Sequence, residues 1–261
     1  MIRFTLLILL GWVAMPSATY SQNKTYAVVV GISDYKALTY RTGDLRFADR
    51  DARQVAAFLR SKPGGHVPTT HLRVLTNAQA TRKAILQAMA IFGNAKPTDR
   101  VILYFSGHGA ANGFIPYDVL PGQPTSILTH ELAKQAFRKS KAQTKLCIAD
   151  ACLSGGMTRP AAPRPSTQAM AGKLTAGTTI ALLLAGKATQ LAVEDRRVSG
   201  GLFTFFVLKG LRGEADTNRN RVVTIRELHS YVSPRVRRVT QGQQSPVFYG
   251  SFPDSLVLAH L

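Results

Sequence analysis

Three almost entirely apolar runs constrain the fold of this chain more than any other feature of its sequence. They lie at residues 26–32 (YAVVVGI), 101–105 (VILYF) and 146–149 (LCIA). Apolar runs of strand length without polar alternation are typical of strands that a parallel sheet buries on both faces. The stretches at 45–59 and 81–92 carry apolar residues at helical spacing, so they predict helices that cover this sheet.

The same alternation continues towards the C-terminus with one interruption. We predict further strands at 72–75 and 179–184, and further helices at 131–137, 201–211 and 224–239. Residues 158–173 contain three prolines among small and polar residues, which favours a flexible surface linker. The chain is therefore expected to have a larger part at 24–157 and a smaller part at 174–261, which together complete one open sheet.

Residues 1–21 predict a secretory signal peptide rather than a part of the fold. Arg3 precedes an apolar run at 4–14, and small residues follow that run. The run is too short to span a bilayer comfortably, so we expect export to the periplasm or the extracellular space, without stable membrane insertion. An uncleaved membrane anchor is the alternative.

Composition narrows the class of protein further. The 261 residues include 33 Lys+Arg against 14 Asp+Glu, for a formal net charge of +19, and only two cysteines. So few cysteines exclude a disulfide-stapled scaffold. The positive surplus fits an anionic partner, or it only keeps an exported protein soluble. Because Lys and Arg are scattered without an aromatic-interleaved patch, no specific nucleic-acid partner is expected.

Two of the apolar runs lead directly into turns that carry reactive side chains. The run at 101–105 continues into Ser106 and then His108, and the run at 146–149 continues into Asp150 and then Cys152. Loops at the carboxyl ends of parallel strands meet in one crevice, so His108 and Cys152 are expected to face each other. An imidazole beside a thiol supplies the base and the nucleophile of amide hydrolysis. The N–H groups of Gly109 and Cys152 are the expected oxyanion donors, and purely structural roles for the histidine and the cysteine are the alternative.

The second cysteine, Cys147, lies inside the predicted strand. Five residues of extended chain place it roughly 16 Å from Cys152, on the opposite face of the strand. That separation is far beyond the roughly 7 Å that a disulfide can bridge. Cys147 is therefore interpreted as a small core residue.

Longer segments make the sequence resemble a known family. The segments are YAVVVGISDY, LRFADRDARQVAAFL, VILYFSGHG, IPYDV, LCIADACLSGG and SGGLFTFFVLKGLRG. Through them the chain resembles the caspase-like cysteine peptidases (clan CD, family C14), specifically the bacterial metacaspase-like or orthocaspase branch. The resemblance implies the caspase-hemoglobinase fold, a three-layer α/β/α sandwich around a mostly parallel sheet of about six strands. It also implies a His108–Cys152 dyad and peptide or protein substrates; we expect a monomer that requires no cofactor.

The resemblance further implies a primary specificity pocket that selects Arg or Lys before the scissile bond. Asp150 and an aspartate of the ADRDA segment would line this pocket; we assign Asp51, with Asp49 as the fallback, and place Ser106 beside them. A carboxylate in a partly buried crevice either pairs with a cation or has a raised pKa. The alternative is that Asp51 is an ordinary charge at a helix N-terminus.

Members of this family are often cut between their large and small parts during maturation. Arg159 and Arg164 both precede proline, which is a poor context for hydrolysis, so we expect self-cleavage near Lys173. A catalytically silent caspase-like binding or scaffold module is the alternative function. Its expected sign is a missing histidine or cysteine, and both residues are present in the sequence.

One loop has the spacing of a calcium-binding motif. Asp216, Asn218, Asn220 and Glu227 stand at positions 1, 3, 5 and 12 of an EF-hand-type loop. Arg221 occupies the position that needs glycine, which favours an Asx-rich helix N-terminus without metal. Calcium binding is the alternative.

Overall fold

The computed structural model describes residues 23–38, 43–110, 112–120, 122–151, 179–187, 190 and 192–261. The predicted signal peptide at 1–21, the linker at 158–173, Cys152 and Lys173 lie outside the described residues.

Strands and helices alternate along the described chain. The strands are β1 (Thr25–Gly31), β2 (Leu72–Thr76), β3 (Arg100–Ser106), β4 (Gly109–Ala110), β5 (Gly113–Phe114), β6 (Leu128–Thr129), β7 (Thr144–Asp150), β8 (Thr179–Leu184), β9 (Glu194–Asp195), β10 (Gly200–Gly201), β11 (Val222–Thr224), β12 (Val247–Ser251) and β13 (Val257–His260). The α-helices are α1 (Ala48–Arg60), α2 (Arg82–Met89), α3 (His130–Lys139), α4 (Leu202–Lys209) and α5 (Ile225–Val239).

Six strands form the central sheet, in the order β12-β8-β7-β3-β1-β2. All neighbouring pairs are parallel except β12 and β8, which run antiparallel. The apolar runs of the sequence form β1, β3 and β7 at the centre of this sheet, as their pattern predicts. The prediction of a mostly parallel sheet with about six strands is confirmed.

The sheet is covered on both faces. On one face β-sheet residues pack with α1, α4 and α5 in a single apolar cluster. On the other face a second cluster joins the sheet to α2 and α3. Cys147 belongs to this second cluster and is fully buried as a free thiol. The chain therefore has the three layers of an α/β/α sandwich.

Two predicted helices end earlier than their apolar spacing indicates. The helix predicted at 81–92 ends at Met89 and tightens into a 3₁₀ helix at Ala90–Asn94, shortly before a proline that cannot continue it. The helix predicted at 201–211 ends at Lys209 and widens into a π-helical turn at Gly210–Glu214. Gly213 there has a φ of 120°, which a residue with a side chain rarely adopts.

Candidate active site

Gly107 turns the chain at the carboxyl end of β3 and so presents His108. Its φ is 154°, and a Cβ at this position would lie 2.7 Å from the hydroxyl oxygen of Tyr35. The Gly107 N–H donates to the carbonyl of Asp150 at 3.2 Å, which ties this turn to the end of β7. A glycine is required here because the backbone conformation and the space both exclude a side chain.

His108 is held from two sides. Its backbone N–H donates to the Tyr35 hydroxyl at 2.7 Å, and its ring lies 5.1 Å from the Tyr35 ring. Its Nε2 contacts the carbonyl oxygen of Gly43. The imidazole is partly exposed, so it can reach a substrate in the crevice.

The predicted partner of His108 follows the neighbouring strand. Ser106 and Asp150 are paired in the register of β3 and β7, and His108 and Cys152 each come two positions after one of these residues. Ala151, 3% exposed, is the last described residue before Cys152. Gly109 lies in β4 opposite Phe114. Because Cys152 lies outside the described residues, the dyad and its oxyanion donors stay predictions.

Two buried carboxylates lie side by side near this turn. Asp51, in the first turn of α1, is 2% exposed, and Asp150, at the end of β7, is 4% exposed. Oδ2 of Asp51 accepts the N–H of Gly201 at 2.9 Å and the hydroxyl of Ser106 at 3.4 Å. Oδ2 of Asp150 accepts the N–H and the hydroxyl of Thr204 at 3.1 Å and 2.7 Å. The structure thus brings together Asp51, Asp150 and Ser106, which the family resemblance assigned to one pocket.

Sequence reasoning missed the residues that make room for this pair. A Cβ on Gly201 would overlap Oδ2 of Asp150 and lie 3.0 Å from Oδ2 of Asp51. A Cβ on Gly200 would lie 2.6 Å from Oδ1 of Asp51. Gly200 and Gly201 belong to the segment SGGLF, which is part of the family resemblance. Two adjacent glycines in that segment could have indicated a place where side chains do not fit.

A third carboxylate, Glu194 in β9, adds negative charge to the same region. Its two oxygens accept the N–H groups of Arg46 and Phe47, each at 2.9 Å, at the start of α1. Burial and the charge of Asp150 raise the pKa of Asp51 well above the usual carboxyl range. Burial and the charge of Glu194 likewise raise the pKa of Asp150. No Lys or Arg of the described residues forms an ion pair with Asp51 or Asp150.

The fallback residue Asp49 has other partners. Its Oδ1 accepts the hydroxyl of Ser33 at 2.8 Å, and its Oδ2 forms an ion pair with Arg53 at 2.6 Å. Although partial burial opposes the change, these two partners lower the pKa of Asp49. Of the two aspartates in the ADRDA segment, Asp51 is the one that lies beside Asp150.

In the candidate calcium loop, the side-chain oxygens accept hydrogen bonds from backbone N–H groups of the loop itself. Asp216 accepts the N–H groups of Asn220 and Arg221, and Asn220 accepts that of Val222, at 2.9–3.1 Å. Glu227 accepts the backbone N–H of Thr224, while the Thr224 hydroxyl caps the first turn of α5. This is a capping box. In the part of the chain that the structure describes, no cluster of three His, Cys, Asp or Glu residues is placed to hold a metal ion.

Comparisons with known proteins agree with this architecture. The family model described as "Caspase domain" of peptidase family C14 matches residues 24–257. A structural-genomics protein from Geobacter sulfurreducens aligns with a TM-score of 0.62 and 18% identity, covering 89% of this chain and 95% of the other. Caspase-1 from Spodoptera frugiperda aligns with a TM-score of 0.62 and 15% identity, covering 91% and 90%. No curated protein sequence matches the chain.

Proposed function

The chain belongs to the caspase-domain family of cysteine peptidases, and from this premise we propose that it is an exported endopeptidase that hydrolyses peptide bonds after Arg or Lys. Its substrates are peptides or proteins. None of its described helices is long and apolar enough to cross a membrane. Export itself rests on the sequence of residues 1–21, and an intact-mass measurement of the protein secreted by its host tests whether this segment is removed.

The observation that carries the specificity is the pair Asp51 and Asp150. Two carboxylates that are 2% and 4% exposed repel each other and lose hydration, so keeping both charged is costly. A cation between them removes that cost. The chain has 33 Lys+Arg residues, yet none that is described pairs with either carboxylate. A basic side chain of the substrate is therefore the cation that suits this site.

The reaction follows from the residues that flank β3 and β7. His108 takes the thiol proton of Cys152, and the thiolate attacks the carbonyl carbon of the scissile bond. The oxyanion that forms accepts hydrogen bonds from the N–H groups of Gly109 and Cys152. The C–N bond then breaks, and His108 gives the proton to the leaving amine. Water activated by His108 hydrolyses the thioester and restores the thiol.

Self-processing near Lys173 is the expected maturation step of this enzyme. Wild-type protein and Cys152→Ala would be compared by mass spectrometry after purification. Cleavage in wild type alone supports the step, whereas identical intact chains overturn it.

Fluorogenic peptides that end in Arg, Lys or Asp test the proposed function directly. Wild type should hydrolyse the Arg and Lys peptides but not the Asp peptide, and Cys152→Ala should be inactive. Asp150→Ala should lower kcat/KM by about 100-fold or more, because the substrate cation loses its buried partner. Asp49→Ala is the matched control, since Asp49 pairs with Arg53 instead. Undiminished activity of Asp150→Ala would overturn the pocket, and a wild type inactive towards every peptide would favour the silent scaffold.

A further inference from the structure

Tyr35 lies directly against His108 and is almost completely buried. It follows β1, is 1% exposed, and accepts the backbone N–H of His108 on its hydroxyl oxygen at 2.7 Å. The two rings lie 5.1 Å apart at an angle of 37°. A buried hydroxyl without a hydrogen-bond partner costs free energy, so the hydrogen bond to His108 stabilises the Tyr35 hydroxyl in its buried position.

The backbone of Tyr35 is bonded to the segment that contacts the His108 ring from the other side. Its N–H donates to Oδ1 of Asp44 at 3.1 Å. Asp44 directly follows Gly43, whose carbonyl oxygen contacts Nε2 of His108. The next residue after Tyr35 is also fixed, since the N–H of Lys36 donates to the carbonyl of Tyr117 at 3.1 Å. One residue is thus bonded both to the backbone of His108 and to the segment that contacts its ring.

The turn before His108 leaves space for the Tyr35 hydroxyl and for little else. A Cβ at Gly107 would lie 2.7 Å from that hydroxyl and 3.0 Å from the Phe105 ring. Burial raises the pKa of Tyr35, so its hydroxyl keeps its proton over the working pH range of a cysteine peptidase. The contact to His108 is therefore neutral and does not depend on pH.

From these contacts we infer that Tyr35 is a positioning residue for His108. Through its hydroxyl and its backbone N–H it fixes the direction in which the imidazole points. This inference rests on the proposed function, in which His108 exchanges a proton with Cys152. Proton transfer requires the two groups at hydrogen-bond distance, and small displacements of a reacting group lower the rate steeply.

Tyr35→Phe tests the inference because it removes the hydroxyl and keeps the ring. The matched control is Tyr231→Phe: Tyr231 is 4% exposed, and its hydroxyl donates to Glu214 in a different part of the fold. Tyr35→Phe should lower kcat by about tenfold or more at unchanged KM, whereas Tyr231→Phe should leave both unchanged. Thermal unfolding of the two variants shows whether they lose similar stability.

The pH dependence of thiol alkylation by iodoacetamide gives a readout that needs no substrate. The chain has two cysteines, and burial raises the pKa of Cys147 to about 12, so alkylation near neutral pH reports on Cys152. Tyr35→Phe should move the alkylation profile towards higher pH, because a misplaced imidazole stabilises the thiolate less. Asp44→Asn keeps the Tyr35 hydroxyl but weakens the hydrogen bond that Asp44 accepts from the Tyr35 N–H. This variant should move the alkylation profile in the same direction.

The outcomes separate this inference from the proposed function. If Tyr35→Phe melts at a lower temperature but keeps both the wild-type kcat and the wild-type alkylation profile, Tyr35 is only a packing residue and the inference is wrong. If wild type hydrolyses no peptide while Tyr35→Phe still shifts the alkylation profile, the proposed function fails and the positioning role stands.

Discussion

At the scale of single residues, Gly201 decides whether two carboxylates can lie side by side. Its backbone has φ −66° and ψ 130°, which alanine adopts without strain. Only the space for a side chain is missing, because a Cβ would overlap Oδ2 of Asp150. Glycine is therefore required at this position by the lack of space in the pocket, and not by the backbone conformation.

Gly201→Ala should raise KM for Arg and Lys peptides by about tenfold or more, since Asp150 must move away from its Thr204 hydrogen bonds. Steady-state kinetics on both peptides measure the effect. Gly93→Ala is the matched control, because an added Cβ there meets nothing within 4 Å. If Gly201→Ala kept the wild-type KM, the two carboxylates would not be the binding site of the basic side chain.

At the scale of elements, the hairpin of β9 and β10 joins distant parts of the chain into the pocket. Glu194 on β9 accepts the backbone N–H groups of Arg46 and Phe47, which directly precede α1. The N-cap residue of this helix makes no capping hydrogen bond with its own side chain. Gly201 on β10 donates to Asp51, which lies 150 residues earlier in the chain. Each of these strands is only two residues long.

The long and the short elements differ in what their sequences reveal. β1, β3 and β7 are predictable because each contains a continuous apolar run of four to seven residues. Strands of two residues, such as β9 and β10, are too short for any alternation, so the hairpin could not be predicted. The pairing of Asp51 with Gly201 is invisible locally as well, because it depends on tertiary contacts. Asp150 is the last residue of β7 and His108 lies two residues after β3, so the apolar runs of these strands predict that both residues lie at the carboxyl edge of the sheet.

The start of α5 yields a prediction about the candidate calcium loop. Thr224→Ala should lower the free energy of unfolding by about 1 kcal/mol, because it removes the N-cap hydroxyl. Calcium should not change the stability of wild type, since the oxygens of Asp216 and Asn220 are already bonded to backbone N–H groups. Chemical denaturation with calcium or with chelator measures both effects. A calcium-dependent gain in wild type that Glu227→Gln abolishes would show that the loop binds the metal.

At the scale of the whole molecule, the two carboxylates that are proposed to bind the substrate lower the stability of the folded chain. The chain carries a net charge of +19, yet two of its 14 Asp+Glu residues are buried together without a described cation. Their pKa values in the folded state lie above the unfolded value of about 4. The folded state therefore binds protons more tightly than the unfolded chain, and stability falls as the pH rises through the folded-state pKa values.

Asp51→Asn and Asp150→Asn should therefore be more stable than wild type at pH 8 and close to it at pH 4, while losing activity on basic peptides. For each carboxyl, the cost to wild type is about 1.4 kcal/mol per pH unit between its unfolded and its folded-state pKa. Asp49→Asn should show the opposite sign, because its partners lower the pKa of Asp49, and this stabilisation is present at neutral pH. Unfolding curves between pH 4 and pH 9 measure all three variants. Destabilisation of Asp51→Asn and Asp150→Asn at pH 8, as expected for Asp49→Asn, would contradict this prediction. It would mean that a cation of the chain itself neutralises the pair and that the pocket is not open to a substrate.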